Sequence, residues 1–228
     1  MIQPCLNKLL LSFGFIFSTT AFAEIALIDQ QKVFNDQDQF KLTTSGSIRL
    51  QSLNFDHYDA TNQGQKYRRD GYSSNSRMYA NADYAFNDQL HVIAGYQNFI
   101  NIPKILDWDG HYRYSDENIH TEQAYIGISD QQYGTLKFGK IYSIYYDVVG
   151  AKTDLWDYST LAEPQTWSPV AYTDGTQAAQ KTLRYEHKSD KLDIYASYLM
   201  KDSAPVVDTQ LQYERKSGAE FAIDLHLN

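Results

Sequence analysis

The sequence is short of cysteine, of proline, of basic charge and of long apolar runs, and each scarcity closes off a class of protein. It holds one cysteine and five prolines. The cysteine, Cys5, lies within the first few residues, so any chain matured past it has neither a disulfide framework nor a cysteine-ligated metal. It also precedes the apolar run that follows, which is the wrong place for a lipid attachment point. A membrane-spanning helix needs about 20 apolar residues, and no segment supplies them. A membrane location would then require a closed β-barrel, because only helices and closed barrels satisfy every backbone group in lipid. Lysine and arginine total 20 against 28 acidic residues, a formal charge of −8. That balance argues against nucleic acid as a partner, which calls for a basic footprint. It suits a cation-holding surface and equally an ordinary acidic exported protein.

What is present begins with an export signal. Met1 to Lys8 carries one positive charge, Leu9 to Phe17 is uncharged and mostly apolar, and Ala21-Phe22-Ala23 is a small-x-small cleavage site. Residues 1–23 read as a signal peptide, with Glu24 as the mature start. The rest is rich in aromatics, 19 Tyr and 11 Phe, with a mean hydropathy of −0.52. Aromatic and β-branched residues fit a pleated surface. The polarity suits a barrel with a wet lumen, in which only alternate residues face lipid.

Period-two alternation recurs along the chain. Met78, Ala80, Ala82, Tyr84 and Phe86 oppose Arg77, Tyr79, Asn81 and Asp83. Leu90, Val92, Ala94 and Tyr96 oppose His91, Ile93, Gly95 and Gln97. Leu192, Ile194, Ala196, Tyr198 and Met200 oppose Asp193, Tyr195 and Ser197. Val207, Thr209, Leu211 and Tyr213 read the same way, as do Phe221, Ile223, Leu225 and Leu227. Ile48 and Leu50 oppose Arg49 and Gln51. The segments 121–129 and 134–142 are strands with a less clear face, and 179–187 completes a count of about nine. Each is near the roughly 9–11 residues that a tilted strand needs to cross a bilayer. Turn residues cluster at Asn87-Asp88, 130–134, Ser189-Asp190 and Ser217-Gly218. Long polar links lie between them at 56–73, 101–118 and 143–178. Short and long links alternate, the pattern of outer-membrane barrels with short periplasmic turns and longer external loops. The short link at 201–204 is the exception.

The strand Tyr133-Gly134-Thr135-Leu136-Lys137-Phe138-Gly139-Lys140 resembles the strand-five signature of the general Gram-negative porins. Lys140 stands where that family usually has arginine, which keeps the charge but loses the guanidinium fork. Tyr145-Tyr146-Asp147 resembles the family's Tyr-Asp, and Thr153-Asp154-Leu155-Trp156-Asp157 resembles the start of its constriction loop. The mature start around 40–49, centred on Gly46, also resembles the family's. The resemblance runs from about Glu24 to the end. It implies an all-β, antiparallel transmembrane β-barrel of sixteen strands, of which about nine are present, so that 24–228 reads as the N-terminal part of a partial barrel. Nine strands cannot close as that family does, and the sequence reads as the front of a longer protein.

The resemblance further implies that the third loop, about 143–178, folds into the barrel. Asp154 and Asp157, with Glu163, would be its constriction carboxylates. Arg49 and Arg77 would face them from the first two strands and Arg184 from the sixth. The family often has another arginine early in strand four; here the stretch is Thr121-Glu122-Gln123, which tilts the pore toward cations. Fixed charges of this kind bias which ion enters. The implied function is passive diffusion of ions and small hydrophilic solutes through a homotrimeric outer-membrane channel among lipid and lipopolysaccharide, with 101–118 latching onto a neighbouring subunit.

Other classes fit less well. No Gly-x-Ser-x-Gly elbow occurs, and the six histidines show no metal-ligand spacing, so neither a catalytic constellation nor a metal or cofactor is expected. Asp107-Trp108-Asp109-Gly110-His111 lies in an expected external loop and reads as solvated. A non-channel barrel (adhesin, receptor or enzyme) remains an alternative, as does a soluble periplasmic β-sandwich with Tyr84, Phe86, Tyr96, Tyr198 and Tyr213 as core rather than as an interfacial girdle.

Overall fold

The computed structural model describes residues 24–35, 38–49, 51–59, 65–73, 76–106, 118–150, 175–205 and 212–226. The signal peptide read at 1–23 lies outside them. Strands follow the alternation. They are β1 (Ile25–Gln31), β2 (Gln39–Ser47), β3 (Gln51–Asp59), β4 (Gln65–Ser73), β5 (Ser76–Ala85), β6 (Leu90–Ile100), β7 (Ile119–Asp130), β8 (Gly134–Tyr142), β9 (Ala178–His187), β10 (Leu192–Leu199), β11 (Asp202–Pro205), β12 (Gln212–Arg215) and β13 (Gly218–Leu225). Nine of them form one antiparallel sheet in the order β1-β2-β5-β6-β7-β8-β9-β10-β13. Among the described residues it is a meander interrupted only by two hairpins, β3–β4 and β11–β12, which pair with themselves.

The sheet is inverted relative to a water-soluble protein. Met78, Ile126, Ile128, Leu136, Phe138, Phe221, Ile223 and Leu225 are exposed, while Thr43, Gln97, Glu122, Thr182, Arg184, Glu186, Asp193 and Ser197 are buried. A soluble sandwich puts its apolar residues inside. An apolar outer face with a polar inner one is the two-faced strand of a membrane barrel. This excludes the β-sandwich alternative.

Short links join one end of the strands and long links the other. The short ones are closed by side chains that accept backbone N–H groups, as Asn, Asp and Ser do in turns. Asn87 Oδ1 accepts from Gln89 and Leu90, both at 2.9 Å. Asp130 Oδ1 accepts from Gln132 at 2.8 Å and Tyr133 at 2.9 Å. Ser189 Oγ accepts from Leu192 at 3.1 Å. In the β1–β2 link, Asp38 accepts from Val33 at 2.9 Å, Phe34 at 2.7 Å and Asn35 at 3.1 Å, and from the Tyr84 hydroxyl at 2.8 Å.

The strand assignment needs four corrections. Ile25–Gln31 is a sheet strand that the sequence reading left out; it pairs with β2. Of the expected spanning strand at 207–214, residues 207–211 lie outside the described residues, 212–214 belong to β12, which pairs with β11, and β10 pairs directly with β13. The link between β10 and β13 is therefore long, which removes the short link at 201–204, and Ser217-Gly218 is not a turn between spanning strands. Finally, β2 ends at Ser47, so Ile48 and Arg49 lie past it, and the link 48–75 carries the hairpin β3–β4. With these changes short and long links alternate without exception.

Gly139, in the strand-five signature, has φ of +149°. A Cβ there would lie 2.2 Å from the Ala124 carbonyl oxygen across the ladder. Glycine alone permits this backbone approach between β7 and β8.

Two expectations follow. Phe138→Arg puts a charge on the lipid face and is expected to destabilise the folded protein in lipid vesicles by about 2–4 kcal/mol, measured by urea unfolding; Phe138→Leu is expected to cost far less. In Asp38, burial pushes the carboxyl up, but the hydrogen bonds from Val33, Tyr84, Phe34 and Asn35 outweigh it and hold the group below its ordinary value of 3.8. A depressed carboxyl stabilises the fold above its unfolded value and loses that contribution as pH falls through the folded one. Hydrogen exchange at the Val33, Phe34 and Asn35 amides is expected to stay slow down to pH 3.8 and to quicken below it, beyond the intrinsic acid trend. Asp38→Asn should remove that step.

Candidate functional site on the polar face

Charged side chains gather on the polar face of β5 to β10. Strict alternation along β7 would place residue 122 on the lipid side with Ile126 and Ile128. The pairing with β6 slips between Gln97 and Asn98, however. Gln97 lies opposite Gln123 and Asn98 opposite Thr121, leaving Glu122 as an extra residue. A bulge of this kind re-aims a side chain, and Glu122 turns inward, 1% exposed. The same slip explains why this strand shows no clear face in the sequence.

Glu122 meets Arg77 of β5, whose Nε lies 3.5 Å from Glu122 Oε2. The Tyr142 hydroxyl donates to Glu122 Oε2 at 2.6 Å, and Gln97 Nε2 donates to the same oxygen. Gln123 Nε2 donates to Gln97 Oε1 at 2.9 Å. Three side chains, Arg77, Tyr142 and Gln97, thus converge on one carboxylate.

A second cluster centres on Arg184 of β9, 2% exposed. Its Nη1 donates to the Tyr142 carbonyl at 2.8 Å and to Asp147 Oδ2 at 2.5 Å. Its Nε lies 2.8 Å from Glu186 Oε1. Lys137 Nζ donates to both oxygens of Glu186 at 3.1 Å. The guanidinium carbon stands 5.5 Å from the Tyr195 ring centroid. These groups, with Gln123 and Tyr125, line a recess of about 350 Å³. Tyr142 joins the two clusters, with its hydroxyl on Glu122 and its carbonyl on Arg184.

The chain leaving β8 runs along this same face. Ser143 N–H donates to the Gln177 carbonyl at 2.8 Å and its hydroxyl to the Thr176 carbonyl at 2.8 Å, which holds the two ends of the 143–177 link together. A helical turn follows, ending as a π-turn at Tyr146–Gly150. Ile144 is buried, and its N–H donates to Glu220 Oε2 of β13 at 3.2 Å. Asp147 of the turn reaches Arg184. Burial pushes the Asp147 carboxyl up from its ordinary value, and the Arg184 guanidinium beside it works against that push.

The residues expected from sequence divide. Asp154, Asp157 and Glu163 lie outside the described residues. Arg77 and Arg184 sit on the polar face, each against a carboxylate. Arg49 follows β2, where its N–H donates to Ser76 Oγ at 2.9 Å and its carbonyl accepts from that hydroxyl at 3.2 Å. Lys137, Glu186, Asp147 and Glu220 escaped the sequence reading as site residues. The i, i+2 spacing of Arg184 and Glu186 was the available signal; the contacts of Asp147 and Glu220 had none.

The model of the family described as Gram-negative porin matches residues 11–226. No curated protein matches the chain. Among solved structures it is similar to OmpF of Salmonella typhi, in a complex with daunomycin, with a TM-score of 0.57 and 16% identity over 86% of this chain and 53% of that one. OmpT, an outer membrane protein of Vibrio cholerae folded in vitro, follows with a TM-score of 0.46 and 16% identity over 83% of this chain and 61% of that one. The chain spans about half the length of the OmpF structure.

Removing the guanidinium of Arg184 leaves Asp147 and Glu186 without their shared partner. Arg184→Met is expected to lower stability by about 3 kcal/mol, read from urea unfolding in detergent micelles. A loss below about 1 kcal/mol would show that water replaces the guanidinium at little cost.

Proposed function

The chain belongs to the Gram-negative porin family, and from that membership we propose that the protein forms a water-filled outer-membrane channel for passive diffusion of ions and small hydrophilic solutes, with a mild preference for cations. Its place is the outer membrane, where the apolar face of the sheet meets lipid and lipopolysaccharide. The observation that carries the reading is the path of the chain after β8. Ile144 binds Glu220 and Asp147 binds Arg184, so the link begins on the polar face, across β9 and β10. A link that starts there is positioned to narrow a channel.

In this reading the link 143–178 is the constriction loop. Asp154, Asp157 and Glu163 supply its negative side, and Arg49, Arg77 and Arg184 face them. Opposed charges across a narrow aqueous gap orient water and polar solutes and penalise apolar ones, and the balance of fixed charge selects the ion. The protein works as a channel rather than as an enzyme. Three copies associate, with the link 101–118 reaching a neighbouring subunit.

Conductance in planar bilayers tests this, using the protein purified from outer membranes. Stable steps with a cation preference are expected, and the double variant Asp154→Asn, Asp157→Asn is expected to lower that preference. A folded protein that gives no steps would remove the channel reading. Unchanged selectivity in the double variant would remove the loop assignment alone.

A further inference from the structure

We propose that Glu122 sets the ion preference of the channel by cancelling the charge of Arg77. The inference rests on the channel reading above and names a determinant within it. Arg77 was expected on the lumen wall, opposing the loop carboxylates. It lies instead against Glu122, with 20% of its side chain exposed against 1% for the glutamate. At distances beyond the pair's own separation, two opposite charges act as a dipole, whose potential falls faster than that of a single charge. An ion passing along the lumen therefore meets little of the arginine's positive potential.

The placement of Glu122 is specific. Without the β-bulge the residue would face lipid, where a carboxylate is costly. With it, the carboxylate turns onto the polar face beside the one arginine of β5. The Tyr142 hydroxyl and the Gln97 amide both donate to it, so it is held there as an acceptor. The other two cations of these clusters are matched in the same way. Arg184 has Asp147 and Glu186, and Lys137 has Glu186. The three cations of these clusters thus meet three carboxylates. Glu122 is the member contributed by an inserted residue, and Arg77 has it as its acidic neighbour among the ion pairs of the described residues.

Reversal potentials in a salt gradient read the effect. Glu122→Gln unmasks Arg77 and is expected to lower the cation-to-anion permeability ratio roughly threefold, the factor for one fixed charge near the ion path in water. Arg77→Gln unmasks Glu122 and is expected to raise the ratio by a similar factor. The double variant should return close to the unaltered protein. It also carries no unpaired charge, so it serves where a single variant folds poorly. A conducting Glu122→Gln variant with an unaltered ratio would overturn the role of Glu122, as would single variants that shift the ratio in the same direction. Absence of steps from the unaltered protein would overturn the channel reading itself, and this inference with it.

Discussion

The hydrocarbon of a membrane offers no hydrogen bonds, and that constraint governs most of this fold. Each backbone N–H and C=O crossing it must find a partner in the protein, which helices or laterally paired strands provide. No helix among the described residues is long and apolar enough to cross a membrane, a finding that leaves strands untouched. The meander meets the requirement economically. Successive spanning strands pair antiparallel, and at one end they turn within a few residues. Asn87, Asp130, Ser189 and Asp38 accept backbone N–H groups at those turns, where the ladders end. Extra chain is pushed to the other end, where hairpins β3–β4 and β11–β12 satisfy themselves by pairing locally.

Once the outer face is given to lipid, the charged residues have one place to go. They crowd onto the inner face, and crowding decides their partners. Tyr142 is the point where two clusters meet. It stands at the end of β8, where the link 143–177 departs, so the departure is tied to the wall on both sides: through the hydroxyl to Glu122 and Arg77, and through the carbonyl to Arg184, Glu186 and Asp147. The backbone N–H of Ile144 on Glu220 extends the tie to β13. The charge pattern of the wall and the path of the link are thus one arrangement.

Strands whose alternation runs unbroken were legible from sequence. In β5, β6, β10 and β13 the apolar residues fall on every second position, and the pairing keeps those phases. In β7 the alternation changes phase at Glu122, so two half-strands with opposite phase overlay and no face stands out. At 207–214 the error ran the other way. Val207, Thr209, Leu211 and Tyr213 alternate as a spanning strand would, but period two describes any extended pair, including a hairpin in an external link. Ile25–Gln31 was missed for want of a long apolar face. Arg77 and Arg184 were singled out, yet their carboxylate partners were not: Glu122 and Asp147 come from another strand and from the link, and Glu186, two residues along β9, offered only its i, i+2 spacing.

Sequence alone determined that the chain is built of two-faced strands, that short and long links alternate, and that Arg77 and Arg184 lie on the polar face. Those properties live in local order: a period of two and a turn residue. The tertiary structure decided which strands are neighbours, where the register slips, and which carboxylate neutralises which arginine. Register and ion pairing join residues tens of positions apart, and one inserted residue reverses the face of every side chain beyond it. The charge balance of the polar face is set by such pairing, and composition carries no trace of it.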